Sequence, residues 1–486
     1  MNCVDYLLSE HTDNRELFVL GRSEELSFSD LTKSVLILSN WLKENVGADK
    51  KILLLSPNSS FFIISYLAIM KSGNVVVPLN PAIEADQYHY IKSICETDHV
   101  FMVKQVCKRL KLDDNLIWGE EFISSITSLE IDLNWAEEPI DENKLAQIIF
   151  TSGSTSLPKG VMLSHKNLIA NTKSIISYLQ LKESDIMEVV LPFYYCYGLS
   201  LLHTHLKVGG KIVLNNTFIF IGSVLSDLDK YKCTGFAGVP SHFQILLRKS
   251  DSFKNTSFPE LRYVTQAGGK LHTTFIKEFR DSKPETMFYV MYGQTEATAR
   301  LSFLPPDLLD SKSGSLGKGI PFVELKVVDD KGVEVKPGVV GEIIAKGDNV
   351  MLGYYMDEDE TNTAIRNGWL HTGDLATVDE EGFIYHAARK KEIIKVGGRR
   401  VSPKEIEEVI VGMSGVIDCT VEAVTDEFLG EGIKAVVVLN KEYKYLTTND
   451  IKEHCASKLT AYKVPGIIEF KDNVDVNAAG KKVKKL

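Results

Sequence analysis

Two spacings of apolar residues alternate along the first third of the chain. Leu31 to Asn45 (LTKSVLILSNWLKEN) sets apolar residues three and four apart, the pattern of a helix with one buried face, and KILLLS from Lys51 is an aliphatic run of strand length. FFIISYLAIMKSG, Phe61 to Gly73, predicts a buried helix closed by Gly73, and VVVPLN from Val75 a further strand. Repeated strand and helix between residues 15 and 140 predicts parallel strands joined by crossover helices, an α/β sheet. Beyond it HKNLIANTKSIISYL, starting at His165, predicts a helix and MEVVLPF from Met187 a strand.

Between those regions the pattern breaks at Ile148 to His165, IIFTSGSTSLPKGVMLSH. An apolar run feeds six small or hydroxylated residues, Thr151 to Ser156, followed by Pro158, Lys159 and Gly160. Backbone amides, hydroxyls and one ammonium in a single loop suit an anion such as phosphate. Pro158 stands where a Walker A loop needs glycine, so that version of the device is excluded. Read alone, a Ser/Thr-rich stretch is also an ordinary polar surface turn.

Two more strand-to-glycine transitions follow, LRYVTQAGGKLH into Gly268 and Gly269, and MFYVMYGQTEATAR into Tyr292 to Glu296. Gly-rich turns leaving the carboxyl ends of parallel strands are where α/β proteins hold ligands. LPFYYCYGLS, Leu191 to Ser200, reads as an aromatic turn that either lines an organic pocket or packs in the core. His203 and His205, two apart, point to different sides of a helix and read as packing or polar contacts, not metal ligands.

From about Ser313 the texture becomes short strands joined by Asp-Lys-Gly and Lys-Pro-Gly turns, predicting an antiparallel β lobe that continues through the hairpin GWLHTGDLATVDEEGFIYH. A charged stretch, Ala388 to Ile410, ends in a helix with Ser402 as N-cap, Pro403 at its first position and Glu405 three after the cap. The remainder predicts a small α+β unit. The expected division is 1–390 for a large nucleotide- and acyl-binding domain and 391–486 for a small, mobile C-terminal lid.

Composition narrows the class. The 486 residues exceed the roughly 150 expected of one domain, and 44% hydrophobic with 25% charged residues is usual for a globular enzyme. A formal net charge of −10 argues against nucleic acid or an anionic membrane as the main partner. Seven cysteines without a C-x-x-C pair fit reduced thiols in a cytoplasmic protein. No secretory signal is visible, and the run Phe61 to Met70 is too short to span a bilayer.

In order, TSGST-x-x-PKG, YGQTEA, HTGD, A-R-K-K-E and N-x-x-G-K resemble the motifs of the adenylate-forming superfamily: acyl-CoA synthetases, luciferases and peptide-synthetase adenylation domains. The resemblance implies a stand-alone acyl-activating ligase. It assigns Thr151, Ser152, Gly153, Ser154, Thr155 and Lys159 to the β- and γ-phosphates of ATP, and Gly268, Gly269 and Tyr292 to the adenine slot. By the same carry-over Thr295 contacts the α-phosphate, Glu296 binds Mg2+, and Asp374 with Arg389 takes the ribose hydroxyls. Lys481 bridges the attacking carboxylate and the α-phosphate; it also reads as one of several lysines in a solvated basic end.

For the second half-reaction the resemblance places a hinge at Lys391 and a thiol-side segment at Lys395, Gly397 and Gly398. Arg400 lies where some members reach the terminal phosphates. Tyr195 and Gly198 fall at the acyl pocket, Tyr195 where many members carry His. Ser156 and Ala388 are further departures from the family pattern. The implied reaction joins a fatty or aryl acid to coenzyme A through an acyl-adenylate, within fatty-acid metabolism. A stand-alone acyl carrier protein bearing phosphopantetheine is the alternative acceptor, and a silent acyl or nucleotide binder the alternative from another class. LPFYYCYGLS lacks the acidic residue that would pair an amino-acid ammonium, so an uncharged tail is expected.

Overall fold

The computed structural model describes residues 1–473 except 22–23, 114–116, 129–134, 138, 152–157, 217, 219 and 427–428, and leaves out the side chains of Lys391 and Arg400. Two parallel-rich sheets form the bulk of the chain. In the larger, Tyr263–Gln266 lies between Gly235–Gly238 and Met287–Tyr292, parallel to both, and the run continues through Ile186–Val189 and Lys211–Leu214 to Leu17–Leu20. The second orders Gly353–Tyr354, Lys159–Ser164, Leu145–Thr151, Val75–Leu79, Lys51–Leu55 and Val100–Met102. Its last four strands are mutually parallel, and the first two turn antiparallel at the edge.

Helices Phe28–Asn45, Ser60–Lys71 and His165–Leu179 stand close to their predicted limits, and Gly73, φ 80, ends the second. Leu7, Phe62, Leu67, Ile148, Leu163, Val189 and Leu202 belong to one apolar cluster that joins both sheets. None of the described helices is long and apolar enough to cross a membrane.

Two further sheets follow, the third antiparallel and the fourth antiparallel except for its strand Ile467–Lys471, which runs parallel to Gly430–Leu439. Glu324–Val328, Gly341–Lys346, Trp369–Val378 and Ile384–Arg389 make up most of a third sheet, the predicted β lobe. The fourth is built on Val416–Asp426 paired with Gly430–Leu439, flanked by Ile394–Val396 and by Ile467–Lys471, with helix Pro403–Val411 on its face. A second apolar cluster runs from Phe243, Phe279 and Phe288 of the large sheet's helices and strands into Ile406, Ile410, Val416 and Val437. Polar contacts border it: Lys270 Nζ to Glu408 at 2.6 Å and Gln244 Nε2 donating to Asp418 at 3.1 Å.

Three local expectations change. The phosphate-loop stretch leads into a strand, Lys159–Ser164, and not straight to the helix. Its alternation, with Val161 and Leu163 buried, is too short to stand out beside the helical run after it. LPFYYCYGLS is no turn beyond Tyr195: Cys196–Val208 is helical, and a Cβ on Gly198 would lie 2.2 Å from the Pro192 carbonyl oxygen. Ser402 is the N-cap of its helix, but its hydroxyl makes no cap bond and donates to the Ala387 carbonyl at 2.5 Å.

Candidate active site

Leu145–Thr151 and Lys159–Ser164 pair with Thr151 opposite Lys159. Ser152, Gly153, Ser154 and Thr155 lie outside the described residues. Lys159 sits with Nζ 2.5 Å from Glu360 and 5.5 Å from the centroid of the Tyr354 ring. The Tyr354 hydroxyl donates to Glu296 Oε1 at 2.8 Å, so the loop lysine and Glu296 flank one tyrosine. Burial and the Glu296 carboxylate push the Tyr354 phenol well above its usual range, which keeps it a donor.

Glu296 and Thr295 occupy a single 3-10 turn, Thr295–Ala297, at the end of Met287–Tyr292. Gly293 makes that turn possible, because a Cβ there would lie 2.0 Å from the Ala299 carbonyl oxygen. Thr298 follows at φ 65, a left-handed conformation held where its hydroxyl donates to the Asn349 carbonyl at 2.7 Å. Cys196 Sγ lies 3.5 Å from Thr295 Oγ1, bringing the start of helix Cys196–Val208 against the turn.

Asp374 is buried beneath the same strand end. Tyr292 donates its hydroxyl to Oδ2 at 2.7 Å, Arg389 Nε approaches Oδ1 at 3.2 Å, and His386 Nε2 stands 3.6 Å away. Arg389 faces Asp374 in the ladder of the hairpin. The register then slips by one residue, so that His386 and not Ala387 comes opposite Ala376, on the Asp374 face. The displaced Ala387 offers its carbonyl to Ser402, which explains the missing cap bond. Burial opposes ionisation of Asp374, but the His386 hydrogen bond, the Arg389 charge and the Tyr292 hydroxyl outweigh it and hold the carboxyl below the usual aspartate range.

Gly268 adopts φ 82, and Gln266 Nε2 donates to the Gly269 carbonyl at 2.7 Å, shaping the turn after Tyr263–Gln266. A cavity of about 520 Å³ opens beside Gly269 and is lined by Val290, Met291, Leu304 and Leu316. Its lining extends along helix Thr273–Ser282 and reaches neither Glu296 nor Asp374, so it adjoins the cluster without containing it.

The remaining expected positions divide. Gly397 and Gly398, φ 54 and 78, form the two-residue turn of the hairpin Ile394–Val396 and Arg399–Val401, a conformation that asks for glycine at both places. Around it the Lys395 amide donates to Glu431, the Gly397 amide to the Leu429 carbonyl, and Arg399 covers the Tyr462 ring. These contacts stay within the fourth sheet's own segment, apart from Glu296 and Asp374. Lys391 lies in the 3-10 turn Lys390–Glu392, and Arg400 opposite Lys395 in the hairpin. Lys481 lies outside the described residues. Tyr195 precedes the helix at Cys196, its ring 4.8 Å from Tyr194. The space a side chain would need at Gly198 is taken up by the Pro192 carbonyl, which gives that glycine a packing reason.

Tyr354, Glu360, His386 and Cys196 complete the site and were not singled out by sequence. Tyr354 is 58 residues from the carboxylate it contacts, and no local periodicity marks such a pair.

The chain matches two family models, "AMP-binding enzyme" over residues 8–355 and "AMP-binding enzyme C-terminal domain" over 405–481. It is 30% identical to a long-chain-fatty-acid–CoA ligase of Escherichia coli O6:H1, over 95% of this chain and 89% of that protein. It is 29% identical to an oxalate–CoA ligase of Arabidopsis thaliana, over 88% and 86%. Among solved structures, ATP-bound MatB from Rhodopseudomonas palustris superposes with a TM-score of 0.89 at 25% identity, covering 99% of this chain and 97% of that one. The anthranilate–CoA ligase AuaEII with anthranoyl-AMP shares the fold at 0.88 and 24%. With family models spanning both of its parts and relatives aligned over nearly its whole length, the chain belongs to the AMP-binding enzymes, the adenylate-forming family.

Proposed function

We propose that the protein is an ATP-dependent acid–thiol ligase that joins a carboxylic acid to coenzyme A through an acyl-adenylate. The observation that carries this reading is the convergence of Lys159, Glu296 and Asp374, linked through Tyr354 and Tyr292, from segments far apart in the chain. Acid and ATP are both anionic, so their reaction calls for placed cations and donors more than for a nucleophilic side chain.

The residues suit the nucleotide. Asp374, ionised and buried, is an acceptor for both ribose hydroxyls, and the Tyr292 ring lies beside it as a platform for the base. Tyr292 stays a phenol because burial and the Asp374 charge raise its pKa far above the usual value. Lys159 reaches the terminal phosphates by exchanging Glu360 for them, and Thr295 is the donor to the α-phosphate. Among the described residues no three His, Cys, Asp or Glu side chains gather, and Mg2+ is commonly held by one or two carboxylates plus substrate phosphates, a donor set that Glu296 and ATP supply. Bound there, Mg2+ would neutralise phosphate charge.

Lys481, carried over from the resemblance, serves as the ammonium between carboxylate and α-phosphate. The division near Lys391 and the rotation of the segment after it then explain how Lys395, Gly397 and Gly398, now turned away, approach the acyl-adenylate in the second step. The test is pyrophosphate release from ATP over a panel of carboxylic acids, followed by thioester formation with coenzyme A. Absence of release with every acid tried, short, long, aryl and dicarboxylic alike, refutes the reading. Release without any thioester moves the acceptor to a carrier protein.

A further inference from the structure

Helix Pro403–Val411 ends against the residues that follow the Gly268–Gly269 turn, and one residue of the helix, Glu408, is held there twice. Lys270 Nζ meets the Glu408 carboxylate at 2.6 Å, and His272 Nε2 meets the Glu408 carbonyl at 2.5 Å. That carbonyl lies in the last helical turn; it already accepts the Gly412 amide at 3.1 Å, and His272 takes its second lone pair. The next carbonyl, that of Val409, faces His454 Nε2 at 3.1 Å. The helix end is thus capped by one histidine from the large sheet's side and one from its own.

His272 is also the N-cap of helix Thr273–Ser282, its Nδ1 accepting the Thr274 amide at 3.1 Å. That bond makes Nδ1 the acceptor and puts the hydrogen on Nε2, the atom facing the Glu408 carbonyl. Burial holds the ring's pKa below the usual histidine value, against the Glu408 carboxylate that raises it, and so favours this neutral form. One uncharged ring ties the start of one helix to the end of another.

The turn just ahead is the one the ligase reading gives to the base. Gly268 at φ 82 and the Gln266 bond to the Gly269 carbonyl set its shape. Gln266, Gly269, Lys270 and Leu271 line the cavity of about 520 Å³, so a molecule entering it touches the segment that holds Glu408. The ion pair is partly exposed, Lys270 21% and Glu408 34%, and is therefore the weaker of the two links.

We propose that Lys270 and His272 are positioning residues: through Glu408 they link the nucleotide turn to helix Pro403–Val411, holding the fourth sheet docked while the acyl-adenylate forms and releasing it for the thiol step. This rests on the ligase reading and on the rotation argued with it, and adds the contact that must break between the two steps. A nucleotide that orders the turn orders both side chains, and so binds more tightly when the helix is docked.

The test follows the two half-reactions apart, using the acid that releases most pyrophosphate in the panel. One assay is acyl-adenylate formation in a single turnover with ATP and Mg2+; the other is thioester formation from the supplied acyl-adenylate and coenzyme A. Lys270→Met removes the charge, and His272→Asn keeps an N-cap acceptor while being too short to reach Glu408. The double variant is expected to slow adenylate formation about tenfold and to leave thioester formation unchanged or up to about threefold faster. Lys270→Glu with Glu408→Lys, a reversed ion pair, should recover part of the loss seen with either change alone. Equal slowing of both steps, as from general loss of structure, overturns the proposal, and so does an unslowed first step. Hydrogen exchange gives a reading without turnover: saturating ATP and Mg2+ should slow exchange of amides 404–411 about fivefold in wild type and not in the double variant, and equal slowing in both overturns the link. If the double variant does not fold by circular dichroism, Lys270→Met alone decides, with the same split at about two- to threefold. Turnover with no acid, alongside ATP-dependent protection of the helix, would end the ligase reading and leave the link standing.

Discussion

Asp374→Asn keeps the side-chain shape and removes only the charge. In the protein that charge receives the Tyr292 hydroxyl at 2.7 Å, His386 at 3.6 Å and Arg389 at 3.2 Å. Arg389 is 62% exposed, so its share is discounted as a solvent-screened pair. Hydrogen bonds to a charged group contribute about 1.5–3 kcal/mol each, and loss of the Tyr292 bond's ionic part predicts a destabilisation of about 1–3 kcal/mol. For the nucleotide, weakening two ribose hydrogen bonds by about 1–2 kcal/mol each raises KM for ATP about 30- to 1,000-fold. The assay is pyrophosphate release with ATP and with 2′-deoxy-ATP, for wild type and variant, in a four-way cycle. The wild type should prefer ATP by about tenfold or more, and Asp374→Asn should lose most of that preference. An unchanged ratio would refute the ribose assignment and leave Asp374 a purely structural carboxylate. The sign with pH follows from the lowered pKa: the contribution of Asp374 is present above the unfolded value of about 3.9 and is lost only as pH falls through the lower folded value, so KM for ATP should not rise on its account between about pH 8 and 5.

Three further outcomes are expected. Glu360→Gln releases Lys159 from a partly exposed ion pair worth about 0.2–1 kcal/mol, and KM for ATP should fall by up to about fivefold; a rise would mean that Glu360 positions Lys159 instead of competing for it. Gly293→Ala forces a Cβ to 2.0 Å from the Ala299 oxygen, with a loss of about 1–3 kcal/mol in chemical denaturation and a drop in kcat as the Thr295 turn shifts. Lys481→Ala should abolish acyl-adenylate formation while thioester formation from supplied acyl-adenylate survives, and equal loss of both steps would count against its assigned role.

Much of the frame was legible because it rests on local periodicity. His165–Leu179 is helical over the span its apolar spacing marks, and Gly73 closes its helix through the left-handed conformation that spacing and residue type foretell. The strand-end turns at Gly268 and Gly293 were legible for a similar reason, since glycine marks backbone that a side chain would obstruct. What escaped depends on register and distance. The strand Lys159–Ser164 has only a short alternation, and its partner is reached across the loop. His386 joins Asp374 only because the hairpin slips by one residue, and nothing in GFIYHAAR announces that slip. Glu360 and Tyr354 come to the site from a segment with no motif around it. The five ordered motifs carried the family; the ionic partners of those motifs emerged from the fold.

Tyr292 sends its hydroxyl to Asp374 while its own carbonyl accepts the Leu301 amide at 2.8 Å, immediately after Arg300. One residue therefore braces a buried carboxylate and closes the backbone turn that carries Thr295, Glu296 and Arg300. A substitution that shifts this turn is felt at Asp374 as well, so the two ends of the cluster do not move independently.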